Sequence, residues 1–193
     1  VPRTASSDGI KARIFAALPQ RRTTLKWLHW TMLPLLIWFV LVQPKDVVPI
    51  GRWAFLIHSN LAVVFVSISL FWTADLMRRG LASRPGPKLP LWAKRTHQIM
   101  HKVIIWGLFT VAFTGFLLGL TSSVLLKAGG FLPIAPPLGL RQANAFVGTF
   151  HIIQFYILAA IVALHAGFHI WRHFRLHDNA LRIMVPKTFH RWL

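Results

Sequence analysis

The chain has 193 residues, 55% of them hydrophobic, with a mean hydropathy of +0.55, which places it in the membrane class rather than among soluble domains. Lys and Arg number 22 against four acids, Asp8, Asp46, Asp75 and Asp178, but the bases fall in blocks between apolar runs, so the +18 balance reads as membrane topology and not as nucleic-acid binding. Cysteine is absent, which excludes disulfides, thiolate catalysis, Cys-ligated iron–sulfur clusters and covalent haem attachment.

A basic tail, residues 1–24, comes first. It shows no signal peptide, and a chain that opens on Val1 is expected to be truncated or processed there. Four apolar segments follow, each long enough for the roughly 20 residues that ~30 Å of hydrocarbon demands. They cover 25–42, 53–74, 103–126 and 142–171. The fourth is uncharged and longer than a bilayer needs, so it should tilt or project. Pro44 and Pro49 punctuate the first connection. Arg84, Pro85, Gly86, Pro87 and Pro90 mark the second, and Gly129, Gly130, Pro133, Pro136 and Pro137 the third. Residues 25–176 thus form a four-helix transmembrane domain, and 177–193 a second basic tail. The expected fold is an all-α membrane protein, a four-helix transmembrane bundle.

Charge sets the orientation. Lysines and arginines concentrate in the N-terminal tail up to Lys26, in the 78–102 connection and in the tail from Arg172. The other two connections carry only Lys45, Arg52, Lys127 and Arg141. By the positive-inside rule both termini are expected in the cytoplasm. Asp75 precedes Arg78 and Arg79 by three and four residues, the spacing of a helix-end ion pair. Trp27, Trp30, Trp53, Trp92, Trp171 and Trp192 fall near span ends, as an interfacial belt does.

Four histidines lie within the spans, where an imidazole is costly unless it has a partner. His151 and His165 are fourteen residues apart on the fourth span. At ~1.5 Å and ~100° per residue they share a face, roughly 21 Å apart. With both termini inside, His29 is near the cytoplasmic side of the first span and His58 near the outer side of the second. The four sort by depth into two pairs, His29 with His165 and His58 with His151, as two bis-histidine haems would require. Interhelical hydrogen bonding is the competing use of such a histidine. His169 follows His165 by one turn and is the alternative ligand, whereas His173 and His177 fall at or beyond the interface. His97 and His101, an i, i+4 pair at the cytoplasmic entrance of the third span, read as groups near a haem propionate or a quinone head, or as interface residues. Gly115, Gly119, Gly148 and Gly167 leave room for a flat macrocycle or for helix packing. Pro34, one turn past His29, is the intramembrane proline and a candidate kink.

These residues resemble the prokaryotic cytochrome b561 family of four-helix dihaem membrane proteins. The resemblance is carried by Leu28-His29-Trp30, by His58, by the 96–115 segment with its paired histidines, and by Ala163-Leu164-His165-Ala166-Gly167 running on through Leu176-His177-Asp178-Asn179 to Met184-Val185-Pro186. It covers about 24–187. It implies His29, His58, His151 and His165 as iron ligands of two b-type haems, with His101 beside a cofactor. The His97/His101 spacing of four departs from the family's three, so His97 is the less secure of that pair. It also implies electron exchange with the quinone pool, with superoxide as an electron donor in some relatives. In others the protein is a haem-bearing anchor subunit of a larger membrane redox or photosynthetic assembly. The expected partners are therefore the lipid bilayer, a quinone, and either superoxide or a partner membrane complex. A transporter would show broken helices or mid-membrane carboxylates, and the sequence has neither.

Overall fold

The computed structural model describes residues 20–178, together with 181 and 191. The tail before residue 20, most of the closing 179–187 motif and Trp192 lie outside the described residues. Helix α1 covers Arg21–Leu41, and a short helix α2, Pro44–Val47, follows it. Then come α3, Arg52–Arg79, and α4, Leu91–Thr121. Strands β1, Leu126–Ala128, and β2, Leu132–Ala135, precede α5, Arg141–Leu176. The helices α1, α3, α4 and α5 are each long and apolar enough to cross a membrane. In space each packs on the next in chain order, and α5 returns against α1 to close the ring.

One end of this bundle carries the start of α1, the α3–α4 connection and the end of α5. It is called the basic end here. The other, the hairpin end, carries α2 and the β1–β2 hairpin. Between them lies a layer of Met32, Leu35, Leu36, Phe65, Ile68, Leu108, Val111, Phe155 and Leu158, drawn from all four long helices. Gly107 lets the α4–α5 seam close: a Cβ there would sit 2.9 Å from Leu158 Cδ1. Most other apolar side chains point outward, as lipid-facing surface does. Trp27, Trp53 and Trp92 are exposed near helix ends, where an aromatic belt belongs.

Three features differ from the sequence reading. The third span starts at Leu91 and ends at Thr121, because the amphipathic turns around Lys94 and Arg95 are helical although they are not apolar. Residues 126–135 form an antiparallel hairpin with a bulge between Leu126 and Lys127. Gly129 and Gly130 turn it with positive φ, and a Cβ on Gly130 would collide with Leu56 of α3, so the turn needs glycine for both conformation and space. Asp75 has a different principal partner from the expected one. Arg21 Nε and Nη2 donate to its carboxylate at 3.1 and 2.7 Å, tying α1 to α3, whereas Arg79 stands at 3.9 Å.

The Arg21–Asp75 bridge is a partly buried, forked pair between elements far apart in sequence. Removing one partner strands the other. Asp75→Ala should therefore lower stability by about 1–3 kcal/mol, read as a lower thermal midpoint in detergent, and Arg21→Met added to it should recover part of the loss. Equal midpoints for Asp75→Ala and the parent would contradict a stabilising role.

Candidate functional site

The span histidines gather at two depths. At the hairpin end, His58 of α3 is buried against α1: Trp38 Nε1 donates to its Nδ1 at 3.2 Å, and Phe39 meets the ring edge-on with centroids 5.0 Å apart. His151 of α5 leans on α4. Its Nδ1 lies 2.9 Å from Thr114 Oγ1, a hydroxyl that is also 2.9 Å from Gln154 Oε1. The ring occupies the hollow left by Gly115, where a Cβ would lie 3.2 Å from His151 Cε1. The other expected small-residue contacts divide. Gly119 receives Leu126 of the hairpin and Gly148 touches Leu118, while Gly167 has nothing beside it within 4 Å.

At the basic end, His29 of α1 sits beside Trp72 of α3, with centroids 6.5 Å apart. It also lies within electrostatic range of His165 and His101. His165 packs edge-on against His101 at 4.6 Å and His169 at 4.5 Å, and His101 against His97 at 4.3 Å. These five histidines from three helices thus gather at the basic end, with His173 and His177 further along the same end of α5. The sequence placed His97 and His101 as a pair without a completing ligand, and the fold adds His169: one ring nitrogen from each of the three lies within 4.8 Å of the others.

The two depths can be measured along the helices. His58 and Trp72 on α3, and His151 and His165 on α5, are each fourteen residues apart, or roughly 21 Å. Trp72 meets His29, and His165 meets His101. Each of His58 and His151 thus lies fourteen residues nearer the hairpin end than the residue of its own helix that meets a basic-end histidine. Thr114 and His101 on α4 repeat the separation to within one residue.

The profile of the prokaryotic cytochrome b561 family matches residues 20–187. The chain belongs to the prokaryotic cytochrome b561 family. No curated protein matches it. Membership makes it a multi-pass bacterial membrane protein whose family function is haem-dependent electron transfer across the membrane.

The side chains fit b-type haem. With Nδ1–H donating to Thr114, His151 keeps its Nε2 lone pair for iron, the orientation that hydrogen bonding usually imposes on a metal-bound imidazole. At the basic end, His165 Nδ1 is buried with no hydrogen-bond partner among the described residues. His58 differs. The Trp38 bond places a lone pair on Nδ1, so binding iron through Nε2 requires the opposite tautomer and release of the indole.

The sequence did not single out Trp38, Trp72, Thr114 or Arg172. Arg172 was counted with the tail, but it is 4% exposed. It donates to Asp178 Oδ2 at 2.9 and 2.7 Å, under a loop in which a Gly86 Cβ would sit 2.8 Å from Arg172 Nη2. Lys88 Nζ donates to the His177 carbonyl at 2.9 Å where α5 ends in the left-handed conformation. Together these contacts cap the histidine-rich end against water.

Gly115 generates a direct test. Gly115→Val should push the His151 ring out of its hollow and lower haem content. Gly148→Ala, whose Cβ meets Leu118 at an ordinary 3.4 Å, should leave it unchanged. Equal haem content in the two variants would contradict the cradle.

Proposed function

We propose that this protein moves electrons across a bacterial inner membrane through two b-type haems, one at each histidine level, and exchanges them with the quinone pool. His58 and His151 hold the haem at the hairpin end, which faces outward. His29 and His165 hold the other, at the cytoplasmic basic end, where both termini lie. What supports this reading is the matching fourteen-residue separation, Trp72 to His58 on α3 and His165 to His151 on α5, with Trp72 against His29 at the basic end. Bis-histidine ligation needs one imidazole on each side of a macrocycle at one height, and packing alone gives no reason for two such pairs.

Bound haem supplies a one-electron couple, and the protein supplies ligation, burial and orientation. Thr114 sets the His151 tautomer, and Gly115 fixes where the ring sits. Phe39, Phe65 and Phe155 form a chain of ring contacts below His58, at 5.6 and 6.2 Å between neighbouring centroids, and keep the interval between the levels dry. At the basic end, the loop over Arg172 shields the lower level from water. His101, against His165, stands where a quinone head or a propionate would meet the protein.

Two electron sources suit the hairpin end. Lys45, Arg52, Lys127 and Arg141 give it a positive rim that would draw in superoxide. Its exposed apolar tip, with Phe131 77% and Leu132 56% accessible, would instead suit an anchor subunit docked to a partner complex.

Single alanine variants test the pairing. His58→Ala and His151→Ala should each halve haem content and remove the same component of the reduced-minus-oxidised spectrum. His29→Ala and His165→Ala should remove the other component. Loss of different components from His58→Ala and His151→Ala would break the pairing. Retention in His165→Ala with loss in His169→Ala would move the ligand by one turn.

A further inference from the structure

The basic end holds more imidazoles than one haem uses. With His29 and His165 assigned as above, His97, His101 and His169 remain, one ring nitrogen of each within 4.8 Å of the others. They lie on the α4–α5 seam. His169 stands one turn nearer the basic end than His165, and His97 one turn nearer it than His101, so their centre is displaced from the His29–His165 axis toward that end. We propose that these three residues form a separate site for a divalent transition-metal ion beside the inner haem.

Hydrogen bonding leaves each of the three a ring nitrogen for a ligand; unpartnered Nδ1 atoms recur at His165 and His173 among the described residues. His101 Nδ1–H donates to the His97 carbonyl at 2.7 Å, which leaves the Nε2 lone pair for a ligand. His97 is 1% exposed. Its Nε2 lies 3.2 Å from Ser83 Oγ, and with Nε2–H donating there, Nδ1 carries the lone pair. That Nδ1 is buried without a partner among the described residues, and so is Nδ1 of His169. Two unpaired ring nitrogens in one buried cluster are costly, and a shared cation satisfies both. Two of the three already have an outer hydrogen bond, the usual arrangement around a bound metal, and the bond from His101 Nδ1 to a carbonyl fixes that ring's tautomer.

The donor set indicates the ion. Three neutral imidazoles without thiolate or carboxylate suit zinc, copper or nickel rather than magnesium or calcium. Zinc bonds of ~2.0–2.1 Å place tetrahedral nitrogens about 3.4 Å apart, within reach of small ring rotations, and leave a fourth position open. Arg172 and Asp178 both act electrostatically on His97 and His169. They face the cluster as a bonded pair of opposite charges, so Asp178 offsets part of the Arg172 charge that an incoming cation meets. Its own charge would favour the reduced form of the neighbouring haem.

The site rests on His165, and not His169, being the haem ligand, so the test reads haem and metal separately. Untagged, haem-loaded protein in detergent, stripped with a chelator, is dialysed against Zn²⁺. Zinc and haem per chain are then counted, and the inner haem is titrated for its midpoint potential. The parent should bind one tight Zn²⁺, with a rise in that potential. His97→Ala, His169→Ala and the milder His169→Gln should each weaken zinc binding about tenfold or more and abolish the potential change. They should keep both haems, and His173→Ala should behave as the parent. Absent zinc binding, or binding that these variants leave unchanged, overturns the metal site. Loss of one haem from His97→Ala or His169→Ala assigns the cluster to the haem and also overturns it. The His165 assignment falls only if His165→Ala meanwhile keeps both haems.

Discussion

An imidazole inside hydrocarbon must have a partner, because water is not there to supply one, and the arrangement of this bundle follows from meeting that demand at two depths. At the hairpin end the partners are single side chains from neighbouring helices, Trp38 for His58 and Thr114 for His151. At the basic end the rings also pack on one another, and among the described residues the Nδ1 atoms of His97, His165, His169 and His173 have no hydrogen-bond partner. The first arrangement presents individual rings. The second is a cluster with unused coordinating capacity.

Packing maintains the difference. The apolar layer through Leu35, Phe65, Leu108 and Leu158 separates the two levels, and glycines let the helices approach where a ring or a leucine must fit. Gly107 admits Leu158, and Gly115 admits His151. Ion pairs hold the basic end, Arg21 of α1 to Asp75 of α3 and Arg172 to Asp178 just past the end of α5, the latter under the Gly86 loop. Charge is thus spent at the end where the histidines crowd, in pairs that neutralise one another locally within a strongly cationic chain.

The spans, their chain order and the fourteen-residue spacing of His151 and His165 were legible in the sequence, because length, apolar runs and residue spacings are properties of single helices. What was not legible depends on which helix faces meet. His169 joins His97 and His101 only because α5 packs along α4 in one register, and nothing in the periodicity of either helix states that register. The same holds for Thr114 beneath His151 and for Asp75, whose local neighbours at i+3 and i+4 lose to Arg21, 54 residues away. The hairpin escaped for another reason: strands of three and four residues are too short for alternation to show, and Gly129-Gly130 announced only a turn. The start of α4 was set late because a hydropathy window does not register an amphipathic first turn.

The central claim is that the two histidine levels each hold one b-type haem. Purified protein from cells with ample haem should be assayed by pyridine haemochrome against chain concentration from amino-acid analysis. Two b-type haems per chain is the predicted result. One haem would mean that a level pair does not ligate, and none would contradict the account, leaving the buried histidines as interhelical hydrogen-bonding groups.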